Sequence, residues 1–145
     1  MARTTIFIQG TPESVFDTLA RPGTYARAAA GRDAAEVGGS WPEPGSTVSV
    51  DRGLPPARIR DTVAVEQAVR PSSLVLQGRI PGLRASIDVH LEPRFGATLV
   101  VLTERPLDGR LARIPRPVLD VALRARNRRV LSRLRRLAEA RLQPG

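Results

Sequence analysis

The chain has 145 residues and a mass of 15.7 kDa, the length of one domain with a buried core. At 41% hydrophobic and 26% charged it reads as globular, and no apolar run approaches the ~20 residues of a membrane span. The absence of cysteine excludes disulfides, thiolate metal sites and cysteine catalysis together.

A single histidine, His90, is too few for a usual histidine-rich zinc site, and neither a metal nor a cofactor is expected. The net charge of +9 comes from 23 arginines and no lysine, so it barely changes through neutral pH. It is also concentrated. Residues 111–145 hold ten arginines against Asp120 and Glu139, while the first 110 residues hold thirteen against twelve acids. A nearly neutral body therefore carries one basic segment. The amino terminus shows an alternating pattern instead of a signal peptide, and the expected location is cytoplasmic.

In chain order, residues 4–9 alternate around Ile6 and Ile8 and predict a strand. Thr11, Pro12 and Glu13 are the start signals of a helix, with Val15, Phe16 and Leu19 as its buried stripe. Arg21-Pro22-Gly23 breaks it, and residues 24–30 make a second short helix with Tyr25 as the largest side chain. Residues 34–37 form a short strand before a turn-rich stretch that contains Trp41.

A meander follows. Residues 47–51, 59–68, 73–78, 85–92 and 98–104 predict strands, separated by turns at Gly53-Leu54-Pro55-Pro56, Arg70-Pro71-Ser72, Pro81-Gly82 and Pro93-Arg94-Phe95-Gly96. Connections this short carry no crossover helices, so the sheet is antiparallel. Ile87, Val89 and Leu91 face one way; Asp88, His90 and Glu92 face the other. The inward set on the remaining strands is Val48, Val50, Ile59, Val63, Val65, Leu74, Leu76, Val100 and Leu102.

Residues 103–116 are interrupted by Pro106, Asp108-Gly109 and Pro115. From Val118 to about Leu142 neither proline nor glycine occurs, and Leu119, Leu123, Val130, Leu134, Leu137 and Ala138 recur at helical spacing. The order of strand, two short helices, meander and long helix has one economical solution. This is an α+β fold in which a curved antiparallel sheet of about seven strands wraps around the long C-terminal helix. The chain forms one domain, residues 1–145.

The residues Phe7-Ile8, Thr11-Pro12-Glu13-Ser14-Val15-Phe16-Asp17-Thr18-Leu19-Ala20 and Tyr25 resemble the opening of the polyketide cyclase/dehydrase and lipid-transport proteins of the START-like (SRPBCC, helix-grip) superfamily. Pro44-Gly45-Ser46-Thr47-Val48, Leu91-Glu92-Pro93 with Gly96-Ala97-Thr98-Leu99-Val100, and the terminal Arg126-Asn127-Arg128-Arg129-Val130-Leu131-Ser132-Arg133-Leu134 extend the likeness over residues 4–141. The resemblance implies a helix-grip fold around a hydrophobic cavity. It also implies a range of roles, from aromatase/cyclases to lipid and sterol carriers. Many bacterial relatives carry tryptophan shortly after the tyrosine of the second short helix. Here Tyr25 is followed only by Ala and Arg, which implies a more open cavity mouth without aromatic stacking. The iron-binding His-His-Asp set of the oxygenases is absent.

Among chemistry-bearing residues, His90 lies on the outward parity and reads as an exposed strand histidine. Asp61 and Glu104 share parity with inward hydrophobes. Each is a candidate general base or ligand acceptor if buried, or else a strand-end partner for arginine. Tyr25 would donate near the cavity mouth or simply pack. Asn127 is the uncharged polar residue beside the long helix's apolar stripe and would orient a ligand carbonyl or bond to a strand.

The leading expectation is a non-catalytic binder or carrier of a small hydrophobic, aromatic or lipid-like molecule. The ligand would be held by Tyr25, Val63, Val65, Leu76, Val89, Val100, Leu102, Leu123, Asn127 and Val130. The alternative is a cyclase/aromatase-like enzyme whose catalytic group is Asp61, Glu104 or Tyr25. A third reading is an interaction protein acting through the arginine-rich helix, with weak contact to an anionic membrane or an acidic protein. No sequence-specific nucleic-acid binding is expected, because aromatics are few and no reading helix is evident. The chain is expected to be a monomer or a homodimer.

Overall fold

In the computed structural model, which describes residues 2–30, 36–52 and 59–142, the chain opens with β1 (Ala2–Gln9). Helix α1 (Pro12–Leu19) starts as its residues dictate. The Thr11 hydroxyl accepts from the Ser14 amide at 3.1 Å, Pro12 occupies the first turn and Glu13 lies beside the unpaired amides. The short helix α2 (Pro22–Tyr25) runs into one π-helical turn (Ala26–Ala30). Six strands follow: β2 (Glu36–Gly38), β3 (Thr47–Arg52), β4 (Ile59–Val69), β5 (Ser73–Ile80), β6 (Leu83–Arg94) and β7 (Ala97–Asp108). A 3₁₀ turn (Arg110–Arg113) leads into α3 (Arg116–Ala140). Residues 34–35 of the expected second strand, and the turn at 53–56, lie outside the described residues.

The strand order is β1-β7-β6-β5-β4-β3-β2, and every pair is antiparallel. The strands run longer than their alternation predicts because tight turns let pairing continue to the tips. Arg94 faces Ala97 across Phe95 and Gly96, both at positive φ (52° and 77°), the geometry of a type I′ hairpin. Ile80 faces Leu83 across Pro81-Gly82.

Curvature has a local cause. Val65 pairs with Leu76 while Gln67 pairs with Val75, which leaves Glu66 as an extra residue on β4. Arg84 pairs with Asp108 while Ala85 pairs with Pro106, which leaves Leu107 extra on β7. Each bulge bends its strand and strengthens the twist, and the bent sheet offers its concave face to α3.

Helix α3 starts two residues before the expected Val118, with Pro117 in the first turn where no amide partner is needed. Its 25 residues span about 38 Å. Leu119, Leu123, Asn127, Leu131, Leu134 and Ala138 are its buried positions, spaced by four, four, four, three and four. The main core joins Leu131, Leu134 and Ala138 to Phe16 and to the concave residues Leu74, Val89, Leu91, Val100 and Leu102. Ile59 is a correction to the inward set. It begins β4 opposite Arg52, outside the core clusters of the described residues, and is 43% exposed.

Candidate functional site

Tyr25, Asp61, Glu104 and Asn127 come from four separated stretches of chain and meet around one guanidinium. The Tyr25 hydroxyl donates to Asp61 Oδ1 at 2.7 Å. Asn127 Nδ2 donates to Glu104 Oε1 at 2.9 Å. Arg126 reaches both carboxylates, Nη2 lying 3.5 Å from Asp61 Oδ2 and Nη1 lying 3.6 Å from Glu104 Oε2.

The positions follow from parity. Asp61 shares the concave face of β4 with Val63 and Val65, and Glu104 that of β7 with Val100 and Leu102, so both carboxylates are buried, at 1% and 2% exposure. Burying two carboxylates is costly without partners, and Arg126, Tyr25 and Asn127 supply them. Arg126 was not among the residues singled out from the sequence. Its signal was helical phase: it lies three residues after Leu123 and four before Val130, on the half-buried flank of the stripe.

Beside this network lies an apolar cavity. Its sheet wall is Leu74, Leu76, Ile87, Val89 and Leu102; its helix wall is Arg126, Asn127, Val130, Leu131 and Leu134. Leu19, Thr24, Tyr25, Ala28 and Trp41 close it. The cavity measures about 80 Å³, several times what one ordered water needs on the same measure. The Thr24 hydroxyl is spent on the Thr18 carbonyl (2.6 Å) and the Trp41 indole N–H on the Leu19 carbonyl (3.0 Å). The remaining polar side chains of the wall, Tyr25, Arg126 and Asn127, are those of the carboxylate network. They give the cavity one polar end.

Asp61 and Glu104 do not line this cavity. They border a second, much smaller space of about 10 Å³ with Tyr25, Gly78 and Arg126, room for about one water. Gly78 keeps that space open, since a Cβ there would stand 2.9 Å from Ile87 Cδ1.

Of the residues expected to hold a ligand, Tyr25, Leu76, Val89, Leu102, Asn127 and Val130 line the cavity. Val63 borders the small space, and Val65 and Val100 pack in the main core. Leu123 joins a separate cluster with Ala2, Leu83 and Leu119. Trp41 is the aromatic the sequence pattern did not place. It comes from the turn after β2 and supplies an indole to the cavity although residues 26–30, just after Tyr25, hold none.

His90 is exposed. On the outer face of α3, Arg124, Arg128, Arg129 and Arg136 are exposed without an ion pair among the described residues, whereas Arg135 lies 3.3 Å from Glu139. Among the described residues no three histidine, cysteine or acidic side chains are grouped to hold a metal ion, and no helix is long and apolar enough to cross a membrane.

A curved seven-stranded antiparallel sheet gripping a C-terminal helix, with two short helices after the first strand, defines a helix-grip, START-like fold. Solved structures share it. A conserved protein from Geobacillus kaustophilus superposes with a TM-score of 0.73 at 18% identity, over 95% of this chain and 94% of that one. Ara h 8.0201 gives 0.73 at 11% identity, over 95% and 96%. DynU16, a protein of the dynemicin biosynthetic locus, gives 0.72 at 15% identity over 95% of this chain, which spans 46% of the DynU16 chain. At such identities the likeness is one of fold. No family model and no curated protein matches the sequence.

Proposed function

We propose that the protein binds or carries a small hydrophobic, aromatic or lipid-like ligand in the cavity between sheet and α3, as a cytoplasmic member of the lipid-transport and cyclase group that its sequence resembles. The observation that carries this reading is the distribution of polarity. The walls are aliphatic with one indole, and Tyr25, Arg126 and Asn127 gather at a single end. Apolar area supplies most of the affinity, and the polar end fixes orientation, with Arg126 and the second N–H of the Asn127 amide donating to a ligand carbonyl, carboxylate or phenol oxygen.

The reading is non-catalytic because Asp61 and Glu104 lie behind Arg126, in the small space and away from the cavity wall. Both are engaged by its guanidinium. A ligand would meet hydrogen-bond donors first.

Filling the cavity tests this. Val130 is half-buried on α3 and takes no part in the carboxylate network, so Val130→Phe fills space at an overpacking cost of about 1–3 kcal/mol. The wild type is expected to take up the neutral probe N-phenyl-1-naphthylamine saturably at one per chain. Val130→Phe is expected to weaken that binding at least tenfold while keeping the same circular dichroism. Equal binding by both proteins would place the probe elsewhere.

One observation favours a second reading. The Tyr25 phenol, which lines the cavity, is 2.7 Å from the Asp61 carboxylate behind it, within reach for proton transfer. In a cyclase/aromatase-like enzyme this pair would move a proton to or from a polyketone folded in the cavity. Conversion of a polyketide-like compound that disappears in Asp61→Asn would establish it; binding without conversion would exclude it.

A further inference from the structure

Asp61 stands on β4 and Glu104 on β7, three strand positions apart in the sheet order. Strands so placed in a flat sheet lie about 14 Å apart, yet both carboxylates here close on the one guanidinium of Arg126. Each of its terminal nitrogens faces a carboxylate oxygen, at 3.5 Å and 3.6 Å. The buried Glu104 gives Oε1 to the Asn127 amide and turns Oε2 to the guanidinium. Among the described residues that line the aliphatic cavity, Arg126 is the one with a positive charge. Arg79 borders the small space behind it but is exposed and forms no ion pair among the described residues.

A guanidinium paired with one carboxylate carries no net charge, so Glu104 alone accounts for the charge of Arg126. Asp61 adds a second carboxylate to the same guanidinium. The pairing leaves N–H groups of Arg126 and Asn127 as donors. A carbonyl, a carboxylate or a phenol oxygen fits those donors equally well in geometry; charge separates them. A carboxylate entering an apolar cavity leaves its hydration behind, and only a counter-charge offsets that cost. Here the counter-charge is already taken, and two further carboxylates stand behind it. A neutral acceptor meets the same donors without that cost.

We infer that Glu104 and Asp61 set the charge class of the ligand: the cavity selects a neutral ketone, ester, amide or phenol over a carboxylate of the same shape. This selection rests on the cavity reading above. It gives the two buried carboxylates a role that needs no proton transfer. Acting through Arg126, they are positioning residues that determine specificity by withholding its charge from the ligand.

Two probes of nearly one shape test this at pH 7: neutral 2-acetylnaphthalene, and 2-naphthoate, whose carboxyl group is ionised there. Each is read by displacement of N-phenyl-1-naphthylamine. The wild type is expected to bind the ketone at least tenfold more tightly. Any apolar cavity disfavours an anion, so the deciding readout is the ratio of the two affinities in variants. Glu104→Gln keeps the shape and leaves an oxygen for Asn127. It is expected to raise naphthoate affinity at least tenfold while the ketone stays within threefold. Asp61→Asn is expected to move the ratio in the same direction, whereas damaged packing would weaken both probes together. The control Glu66→Gln removes a carboxylate from an exposed position on β4 and is expected to leave the ratio within twofold.

Equal affinity of the wild type for the two probes would overturn the selection. So would an unchanged ratio in whichever of the two buried-carboxylate variants folds. Either result, with N-phenyl-1-naphthylamine still bound, leaves the cavity reading intact. A wild type that binds none of the three compounds defeats the cavity reading and this selection with it.

Discussion

The side-chain amide of Asn127 donates to Glu104 inside the protein and joins the middle of α3 to β7 at 2.9 Å. Both residues are buried, so the bond is shielded from solvent and each group is expensive to strand. Asn127→Leu keeps the volume and removes the donor. It is expected to cost about 1–3 kcal/mol, read as a lower urea midpoint at unchanged slope. No change in midpoint would mean that water replaces the amide.

Arg126 has a larger expected effect because two buried carboxylates depend on it. Arg126→Met is expected to destabilise the protein by about 3–5 kcal/mol at neutral pH, the usual consequence of removing one partner of a buried pair. The triple variant Arg126→Met/Asp61→Asn/Glu104→Gln is expected to recover most of that loss. Additive losses in the triple variant would show that the three side chains act independently.

The Thr4 hydroxyl makes the opposite prediction. It is buried on β1 without a hydrogen-bond partner among the described residues. Thr4→Val has nearly the same shape and no hydroxyl to desolvate, so it is expected to raise stability by about 1 kcal/mol. Chemical denaturation at fixed pH checks the sign, and a loss of stability would mean the hydroxyl is satisfied in solution.

Gly109 sits at φ +110° and ψ 168° before the 3₁₀ turn, a region that residues with a Cβ avoid. A methyl group there would also collide with the Gly82 carbonyl, which accepts from the Leu111 amide at 2.8 Å. Gly109→Ala is expected to cost at least about 2 kcal/mol and to lower the melting temperature accordingly. A melting temperature equal to the wild type would mean that this connection relaxes freely.

Much of this arrangement is written in the residue pattern. The alternation of Ile87, Val89 and Leu91 against Asp88 and His90 orients β6. The same parity carries Asp61 and Glu104 into the interior, and Thr11-Pro12-Glu13 dictates the start of α1. Less legible features depend on partners far along the chain. The extra residues Glu66 and Leu107 are bulges only relative to β5 and β6, and nothing in their own neighbourhood marks them. Ile59 fits the inward period but stands at the first position of β4, where parity alone does not secure burial. Leu131 and Arg126 follow Leu123 at helical spacing, yet only the sheet's curvature decides which flank of the stripe is covered. Trp41 reaches the cavity from a turn, where periodicity carries no information.

Native mass spectrometry of the purified protein, followed by extraction and identification of whatever is retained, tests the cavity reading most directly. The expected result is a hydrophobic, aromatic or lipid-like compound bound at one per chain and displaced in Val130→Phe. A protein that carries nothing and takes up no member of a chemically broad hydrophobic panel would contradict it.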